Sequence, residues 1–302
     1  MKSRFNLAQF IIPGLFLCLL SVACKKETSR SVTDDQEQET ASQVSGEADG
    51  VAEEIFGGLF DDAMGASNDV GVSGSGVFYG RIDTLTPVPR CFTITILHPN
   101  NTPFPVRTVI DFGTTGCPGP DGRVRRGKVI TDYTARLTYP GATATTEFEG
   151  FYVDSFKVEG RHIITNIGSV VPLVRKFKVE MIDGKLLKTN GNYITWSSTK
   201  TINQFEGLGT PDIPIDDIFK IEGSAHGRVL RGNLLVGWES AIIEPLVKRV
   251  TCRWLVRGKI RVIRLNSPAN SPWVAELDFG NGLCNNQATL TINGRTSQIT
   301  LP

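Results

Sequence analysis

Two similar stretches, VIDFGTTGC at Val109–Cys117 and ELDFGNGLC at Glu276–Cys284, lie far apart in the C-terminal three quarters of the chain. Each places a Cys four residues after the Gly of an Asp-Phe-Gly triplet. In each copy an earlier Cys, Cys91 or Cys252, precedes a β-like run and a turn rich in Pro and Asn. The repeat therefore predicts two β-hairpins, each stapled by a pair of cysteines.

The Asp-Phe-Gly triplets are expected to have a structural role. Asp111 and Asp278 should accept a hydrogen bond from their own turn, while the Phe packs inward and the Gly adopts a positive φ. A catalytic or calcium-binding role for the two Asp residues is the alternative. The glycine-rich loop and catalytic-loop motif of protein kinases do not accompany the triplets, which excludes that class.

The N-terminus has the layout of a secretory signal. Lys2 and Arg4 precede an apolar run over residues 10–20, which is too short to span a bilayer, and small residues lead to Cys24. The end of the run, LLSVAC, resembles a lipoprotein signal, in which a peptidase cuts before the Cys and the new terminal Cys is acylated. This resemblance implies that residues 1–23 are removed and that Cys24 carries lipid. An ordinary secreted protein with an unmodified Cys24 is the alternative.

Four cysteines remain once Cys18 is removed with the signal and Cys24 is lipidated. In an oxidising compartment an even remainder implies disulfide bonds. The repeat predicts that Cys91 pairs with Cys117 and that Cys252 pairs with Cys284. A zinc site built from the same four thiols is disfavoured because no Cys-x-x-Cys spacing occurs.

Residues 24–69 are predicted to form an acidic, flexible tether. Residues 25–69 hold three basic and twelve acidic side chains, whereas residues 70–302 hold 27 basic and 19 acidic ones, so the net charges are −9 and +8. Such high charge with few aromatic residues cannot offset the entropy lost on ordering. The exception is VAEEIFGGLF, residues 51–60, whose apolar spacing is compatible with a short helix.

Residues 70–302 are predicted to form a β-rich body. Turn signals such as Asp183-Gly184 and Asn293-Gly294 separate β-branched runs, and long helical periodicity is missing. FEGFYVDSFKVEG at residues 148–160 is echoed by FEGLGTPDIPIDDIFKIEG at residues 205–223, which indicates repeated strand units. The fold class predicted is all-β, an antiparallel meander with internal repeats. It could form one elongated sheet or two sandwich-like units, and the lack of a linker-like break favours one body.

The stretch VKRVTCRWLVRGKIRVIRL, residues 247–265, has the clearest period-two alternation and is predicted to be one strand. Its polar face carries a basic ladder made of Arg249, Arg253, Arg257, Lys259 and Arg261. Acidic residues on neighbouring strands, such as Glu239 or Glu276, could compensate these charges. The other hypothesis is a site for anionic groups of surface glycans or lipopolysaccharide. Nucleic acid is not expected as a partner, because the N-terminus predicts export and no nucleic-acid motif occurs.

Other candidate residues favour structural roles. The three histidines, His98, His162 and His226, lack the His-Glu-x-x-His and Gly-x-Ser-x-Gly contexts and are predicted to be turn or sheet-surface imidazoles. Asp212, Asp216 and Asp217 are predicted to be solvated loop acids, with calcium binding as the alternative. Tyr152, Tyr193 and Trp196 are predicted to pack in the core, with sugar stacking as the alternative. No cofactor and no metal are expected.

The doubled Asp-Phe-Gly and Cys units, the terminal TLTINGRTSQITLP and the KKETSR after Cys24 together resemble outer-membrane lipoproteins of Bacteroidota. The resemblance implies attachment to the outer membrane through lipid at Cys24, but transfers no catalytic residue and no activity. We therefore expect a non-enzymatic binding or structural module, whose further partner would be an anionic glycan or lipopolysaccharide. The alternatives are a periplasmic carrier or chaperone for an apolar ligand, and a glycan hydrolase whose paired carboxylates only the fold could reveal.

Overall fold

A computed structural model describes residues 32–69, 91–119, 122–210, 216–265, 267 and 271–302. One helix, α1 (Val32–Asp69), precedes fourteen strands. The strands are β1 Thr93–Leu97, β2 Val106–Asp111, β3 Cys117–Pro118, β4 Val124–Tyr133, β5 Thr143–Val153, β6 Phe156–Asn166, β7 Lys176–Leu187, β8 Tyr193–Glu206, β9 Ile218–Arg231, β10 Leu234–Arg249, β11 Arg257–Arg264, β12 Ala275–Asn281, β13 Gln287–Ile292 and β14 Arg295–Thr300. The predicted signal and Cys24 lie outside the described residues.

The fourteen strands form one antiparallel sheet whose spatial order follows the chain. Each strand pairs with the next one in the chain, with one exception. β2 pairs with β4, and the two-residue β3 also pairs with β4. The predicted all-β meander is therefore confirmed, and it forms a single sheet. Alternating burial along the strands gives the sheet an inner face and an outer face, as in β8, where every second residue from Ile194 to Gln204 is buried.

The helix α1 packs against the inner face, and the prediction of a flexible tether is wrong for residues 32–69. This segment is a continuous helix of 38 residues, which includes the short helix considered at residues 51–60. Its contacts extend over β5 and β7 to β13, so the sheet curves around it. The buried apolar residues of α1 are Ala41, Val44, Ala48, Ala52, Ile55, Phe56, Leu59, Phe60 and Ala63.

Small residues let the first half of α1 approach the sheet closely. A Cβ atom added at Gly46 would lie 2.7 Å from Leu290 Cδ1, and one at Gly50 would lie 3.0 Å from Leu277 Cδ2. Leu290 and Leu277 are buried on β13 and β12. Gly46 and Gly50 are thus positions where the sheet packs against the backbone of α1, whereas a Cβ atom added at Gly57 or Gly58 would meet nothing within 4 Å.

Acidic residues of α1 are paired with the sheet, which explains why a charged segment is buried. Glu53 forms an ion pair with Lys200, Asp61 Oδ2 lies 2.8 Å from Lys248 Nζ, and Asp62 Oδ2 lies 3.6 Å from Arg125 Nε. A buried carboxylate is tolerated when it is paired and hydrogen-bonded. The charge that predicted a solvated tether is instead neutralised by basic residues of the inner face.

Both disulfide bonds form as predicted. Cys91 is bonded to Cys117 and Cys252 is bonded to Cys284. The first bond closes the β1–β2 hairpin and the second closes the β11–β12 hairpin, in each case at the open end of the hairpin.

The Asp-Phe-Gly triplets also have the predicted geometry. The amide of Gly113 donates a hydrogen bond to Asp111 Oδ1 at 2.9 Å, and that of Gly280 donates to Asp278 Oδ1 at 2.8 Å. The intervening Phe112 and Phe279 are both buried. Gly113 and Gly280 have φ values of 69° and 94°, which favour glycine. Each triplet ends a strand and turns the chain toward the disulfide.

The prediction of one strand over residues 247–265 is wrong. β10 ends at Arg249 and β11 begins at Arg257, so residues 250–256 form the connection between them. Backbone hydrogen bonds from the amide of Cys252 to Arg249 O and from that of Val256 to Val247 O turn the chain here. Leu255, placed on the polar face by the alternation, is buried, and its amide donates to Glu54 Oε1 of α1.

Candidate functional site

The most developed concave surface is an open trough on the outer face of β7 to β11. Its volume is about 490 Å³. The central strands contribute small outward side chains to its floor, and the flanking strands β7 and β11 contribute larger ones to its walls. We call this surface the outer trough; its outward side chains are Glu180, Ile182, Ser197, Thr199, Ser224, His226, Glu239, Ala241, Arg261 and Ile263.

The strand register explains how these residues meet. In one row across the sheet, Thr199 is paired with Ser224, Ser224 with Ala241, and Ala241 with Arg261. The neighbouring row runs from Ser197 through His226 and Glu239 to Ile263. Since adjacent strands lie about 4.8 Å apart, short side chains in three consecutive strands leave a depression about two strand spacings wide.

The outer trough presents polar groups of several chemical types. His226 and Glu239 are exposed neighbours on β9 and β10, and within the described part of the chain neither side chain makes a hydrogen bond. Ser197 Oγ already accepts a hydrogen bond from the amide of Asp183 at 3.1 Å. Arg261 is exposed on the β11 wall. The trough therefore combines hydroxyls, an imidazole, a carboxylate and a guanidinium.

The two carboxylates of the outer trough stand on strands that are three spacings apart. A volume of about 490 Å³ falls within the range of small-molecule sites. Glu180 on β7 and Glu239 on β10 are three strand spacings apart, which places their backbones about 14 Å from each other. Glu180 is also paired with Lys178 at 2.8 Å. The carboxyl groups of glycosidases are about 5 to 9.5 Å apart.

The five residues of the predicted basic ladder do not form one surface. Arg257, Lys259 and Arg261 project outward from β11, whereas Arg249 ends β10 and Arg253 lies in the connection after it. The Arg253 guanidinium stacks over the Trp254 ring at 5.1 Å. The structure thus brings together only three of the five, and only Arg261 lines the outer trough.

The charge of Lys259 is compensated by its neighbours. Its Nζ lies 3.3 Å from Glu244 Oε1, 3.5 Å from Glu276 Oε1 and 3.7 Å from Asp278 Oδ2. The hydrogen bond and charge of Glu244, followed by Asp278 and Glu276, raise the pKa of this ammonium above its ordinary value. The prediction that Glu276 relieves repulsion along the ladder is supported at this position.

The three aromatic candidates are separated in the structure. Trp196 is a core residue: its ring stacks on Phe56 of α1 with centroids 5.3 Å apart, and its Nε1 donates to Asp49 Oδ1. Tyr152 lies under the Arg126 guanidinium at 3.9 Å, and Tyr193 lies 5.4 Å from Lys185 Nζ. They do not form a common platform for sugars.

The loop acids make local hydrogen bonds. Asp216 Oδ2 accepts from the Thr210 hydroxyl at 2.6 Å, and Asp217 Oδ1 accepts from Gln204 Nε2 at 2.6 Å. Burial raises the pKa of Asp217 to about 6, against the opposing effect of Arg175. Asp212 lies outside the described residues. Among the residues that the structure describes, no group of three or more His, Cys, Asp or Glu side chains is placed to hold a metal ion.

His162 is buried, so its prediction as a surface imidazole is wrong, whereas His98 and His226 are exposed. It borders a cavity of about 30 Å³ between α1 and the sheet, together with Gly57, Phe60 and Met181. Neither ring nitrogen has a hydrogen-bond partner within the described part of the chain. The cavity has room for about one or two water molecules, far less than a drug-sized ligand needs.

Glu53 and Lys200 line the same cavity. Burial lowers the pKa of the Lys200 ammonium to about 7, whereas the carboxylate of Asp49 favours its charged form. Because Lys200 also forms an ion pair with Glu53, we assign it the ammonium form at and below neutral pH.

Because His162 is buried, we expect the free energy of unfolding to fall in mild acid. Burial lowers the pKa of its imidazole to about 4 from 6.5, so between these pH values the unfolded chain binds a proton that the folded chain does not. The contribution of the neutral imidazole is present above pH 6.5 and is lost as the pH falls through 4. We expect this site to remove roughly 3 kcal/mol of unfolding free energy between pH 7 and 4.

Urea unfolding of the wild type and His162→Gln at both pH values measures this loss. The variant should lose roughly 3 kcal/mol less than the wild type. His226→Gln, at an exposed histidine, should behave as the wild type. Equal losses in all three proteins would show that His162 does not carry the effect.

The sequence analysis singled out Arg261, His226 and Glu239, the last only as a neighbour of the basic ladder, but it missed the other residues of the outer trough. The usable signal is the small polar character of SST at residues 197–199 and GSAH at residues 223–226. It becomes informative only when register places these residues side by side.

No helix in the described part of the chain is both long and apolar enough to span a bilayer. Comparison with known proteins found no matching family model, no matching curated protein and no matching solved structure.

Proposed function

We propose that this protein is a non-enzymatic binding module that holds a hydroxylated, anionic ligand of the glycan class in the outer trough. The observation that carries this proposal is the cluster of polar side chains on β8 to β11, where hydroxyls, an imidazole and a carboxylate lie beside the Arg261 guanidinium. Sugar hydroxyls donate and accept hydrogen bonds, and a guanidinium binds a carboxylate with two parallel hydrogen bonds. A uronic acid residue offers both kinds of group.

The location that we propose is the outer membrane, with lipid at Cys24 as the anchor. The support is the signal-like N-terminus and its LLSVAC end. Acyl chains that bury many methylene groups give stable attachment without a spanning helix. Mass spectrometry of the intact protein from membranes tests the location. We expect the mass of a chain that begins at a lipidated Cys24, and a chain that still carries residues 1–23 without lipid would overturn the proposal.

The outer trough supports this function better than either alternative. A carrier for an apolar ligand would need the inner face of the sheet, but α1 covers that face, and the cavities found beside it have volumes of about 30 and 70 Å³. A hydrolase would need two carboxylates facing each other at close range. Glu180 and Glu239 stand on strands that are separated by two others.

Retention on immobilised polygalacturonate, with dextran as the neutral control matrix, tests the proposed site. Arg261→Ser should weaken binding to polygalacturonate at least tenfold, because it removes the cation that faces the carboxylates. Ser224→Trp should have an effect of the same size by filling the floor of the trough. Arg257→Ser is the matched control, since Arg257 projects from the same strand outside the trough.

Circular dichroism melting should show all three variants folded, because the altered side chains are exposed. Equal weakening by Arg257→Ser and Arg261→Ser would show that binding depends on the overall positive charge of the surface, which would contradict the outer trough as the site. Absence of wild-type retention on polygalacturonate would contradict the ligand class.

A further inference from the structure

The connection between β6 and β7 exposes a cluster of aliphatic side chains. Within IGSVVPLV, residues 167–174, Val171 is 89% exposed and Val170 is 64% exposed, and Ile167, Leu173 and Val174 are also exposed. Contiguous exposed apolar residues of this kind mark an interaction surface. We call residues 167–174 the apolar loop.

The apolar loop is held by its own hydrogen bonds. The amides of Ser169 and Val174 each donate to the other residue's carbonyl at 2.9 Å, and Ser169 Oγ donates to Pro172 O at 2.6 Å. The amide of Ile167 donates to Lys176 O, and that of Gly168 donates to Asn166 Oδ1. Polar backbone groups that enter a lipid layer must be satisfied internally. These bonds satisfy four amides of the loop. Among the described residues the amides of Val170, Val171 and Leu173 have no partner, so the tip is suited to the hydrated interfacial region of a bilayer and not to its hydrocarbon core.

Two exposed aromatic residues stand beside the apolar loop. Tyr139, in the β4–β5 connection, is 55% exposed, and Phe205, near the end of β8, is 53% exposed. Asn166 fixes the first connection by donating from Nδ2 to Leu137 O and accepting from the amide of Gly141. The amide of Gln204 donates to Arg175 O and fixes the second. The Tyr139 ring with its polar hydroxyl favours the interfacial region of a bilayer, whereas Phe205 has no polar tip and its ring centroid lies 3.6 Å from Lys220 Nζ.

The charges near the apolar loop are mixed. Basic residues at its base are Arg175, Lys176, Lys178 and Lys220, and acidic residues nearby are Glu180, Glu206, Asp216 and Asp217. Lys178 is paired with Glu180. A surface with balanced charges is not attracted electrostatically to an anionic membrane. Burial of the apolar tip would therefore drive contact with lipid.

The apolar loop lies at the C-terminal end of α1. Tyr133, the last residue of β4, donates from its hydroxyl to Ala63 O near that end of the helix. Glu39, near the start of α1, is paired with Arg295 at the opposite end of the sheet. Since α1 is about 57 Å long at 1.5 Å per residue, contact through the loop is separate from any attachment through Cys24.

We infer that the apolar loop inserts into the interfacial region of a phospholipid bilayer, with Tyr139 and Phe205 at the headgroup level. Val170 and Val171 form the inserted tip, because they are the most exposed aliphatic residues of the loop. Lys176 at its base reaches the headgroups with its ammonium group, whereas Lys178 is paired with Glu180 and Lys220 lies over the Phe205 ring. This inference does not depend on the ligand of the outer trough or on lipid at Cys24.

Flotation of the full chain with vesicles tests the inference. Cys24→Ala in every protein removes acylation, so that any binding reports the folded body. The probes are vesicles of phosphatidylcholine alone and vesicles of phosphatidylcholine with phosphatidylglycerol. We expect flotation with both, and at least tenfold weaker binding for the double variant Val170→Asp, Val171→Asp.

The control is Leu235→Asp, which places a carboxylate at an aliphatic residue of similar exposure on β10, away from the apolar loop. It should float as the parent protein does, and both variants should melt near the parent temperature. Undiminished flotation of the double variant, or no flotation of the parent, would overturn the inference. Binding that requires phosphatidylglycerol and disappears in salt would also overturn it, because the charges would then be the cause.

Discussion

Replacing Asp49 with Ala is expected to lower the free energy of unfolding by about 4 kcal/mol. Asp49 is 1% exposed at the centre of α1, and its Oδ1 accepts hydrogen bonds from Trp196 Nε1 at 3.1 Å, Trp238 Nε1 at 2.9 Å and Ser240 Oγ at 2.9 Å. Truncation leaves three buried donors without their acceptor, and each unsatisfied group costs about 1 to 3 kcal/mol. Urea unfolding followed by circular dichroism measures the change.

Two further variants separate this cause from a general loss of helix charge. Asp49→Asn keeps an oxygen acceptor but adds donors, and it should cost about half as much as Asp49→Ala. Glu47→Ala removes a partly exposed carboxylate of the same helix, paired with Arg231 at 2.7 Å, and should cost less than about 1 kcal/mol. Similar costs for Asp49→Ala and Glu47→Ala would show that the buried hydrogen bonds are not the anchor of α1.

Removing the Cys252–Cys284 disulfide by double substitution with Ser is expected to lower the free energy of unfolding by about 3.5 kcal/mol. The bond closes a loop with a sequence separation of 32 residues and thereby restricts the unfolded chain. It staples β11 and β12, which both contact α1, so its loss should appear in global unfolding. Guanidinium unfolding of the oxidised variant and wild type measures the effect.

The Cys91–Cys117 bond serves as the internal comparison. Its loop is similar, with a separation of 26 residues, but it closes the β1–β2 hairpin at the edge of the sheet. An edge hairpin can open locally before the rest of the protein unfolds, so removing this bond should lower global stability less. Reduced wild type should match a variant that lacks both bonds. Equal global losses from the two single removals would contradict the assignment of β1–β2 as a separately opening unit.

The Asp-Phe-Gly turns and the hairpins that they close were predictable from the sequence because their causes are local. Asp111 bonds an amide two residues away, and Gly113 needs a positive φ whatever surrounds it. Each disulfide joins the two ends of one hairpin. The antiparallel meander follows for the same reason, since each strand pairs with its neighbour in the chain.

The outer trough and the apolar loop were less accessible to sequence reasoning. Arg261 was predicted as one of five equivalent basic residues, but register places it beside Ala241, in the same trough as Ser224 and Glu239. Arg249 and Arg253 do not line that trough. The apolar–polar alternation of the sequence also continues through residues 250–256, where the chain turns, but burial does not follow it there, since Leu255 and Val256 are both buried. In the sequence Val170 and Val171 cannot be distinguished from apolar core residues, and only the structure shows that they are exposed.

The sequence by itself determined the strand order, the disulfide pairing and the opposite charges of its two parts, −9 for residues 25–69 and +8 for residues 70–302. Only the tertiary structure decided that residues 32–69 become a buried helix inside the curved sheet. A charged segment stays in water unless its charges find partners, and the partners of α1 lie far away in the chain. They are Trp196, Trp238 and Ser240 for Asp49, Lys200 for Glu53, Lys248 for Asp61 and Arg125 for Asp62. Those partners lie beside α1 only in the folded sheet, which is why local patterns predicted a tether where the protein has its central helix.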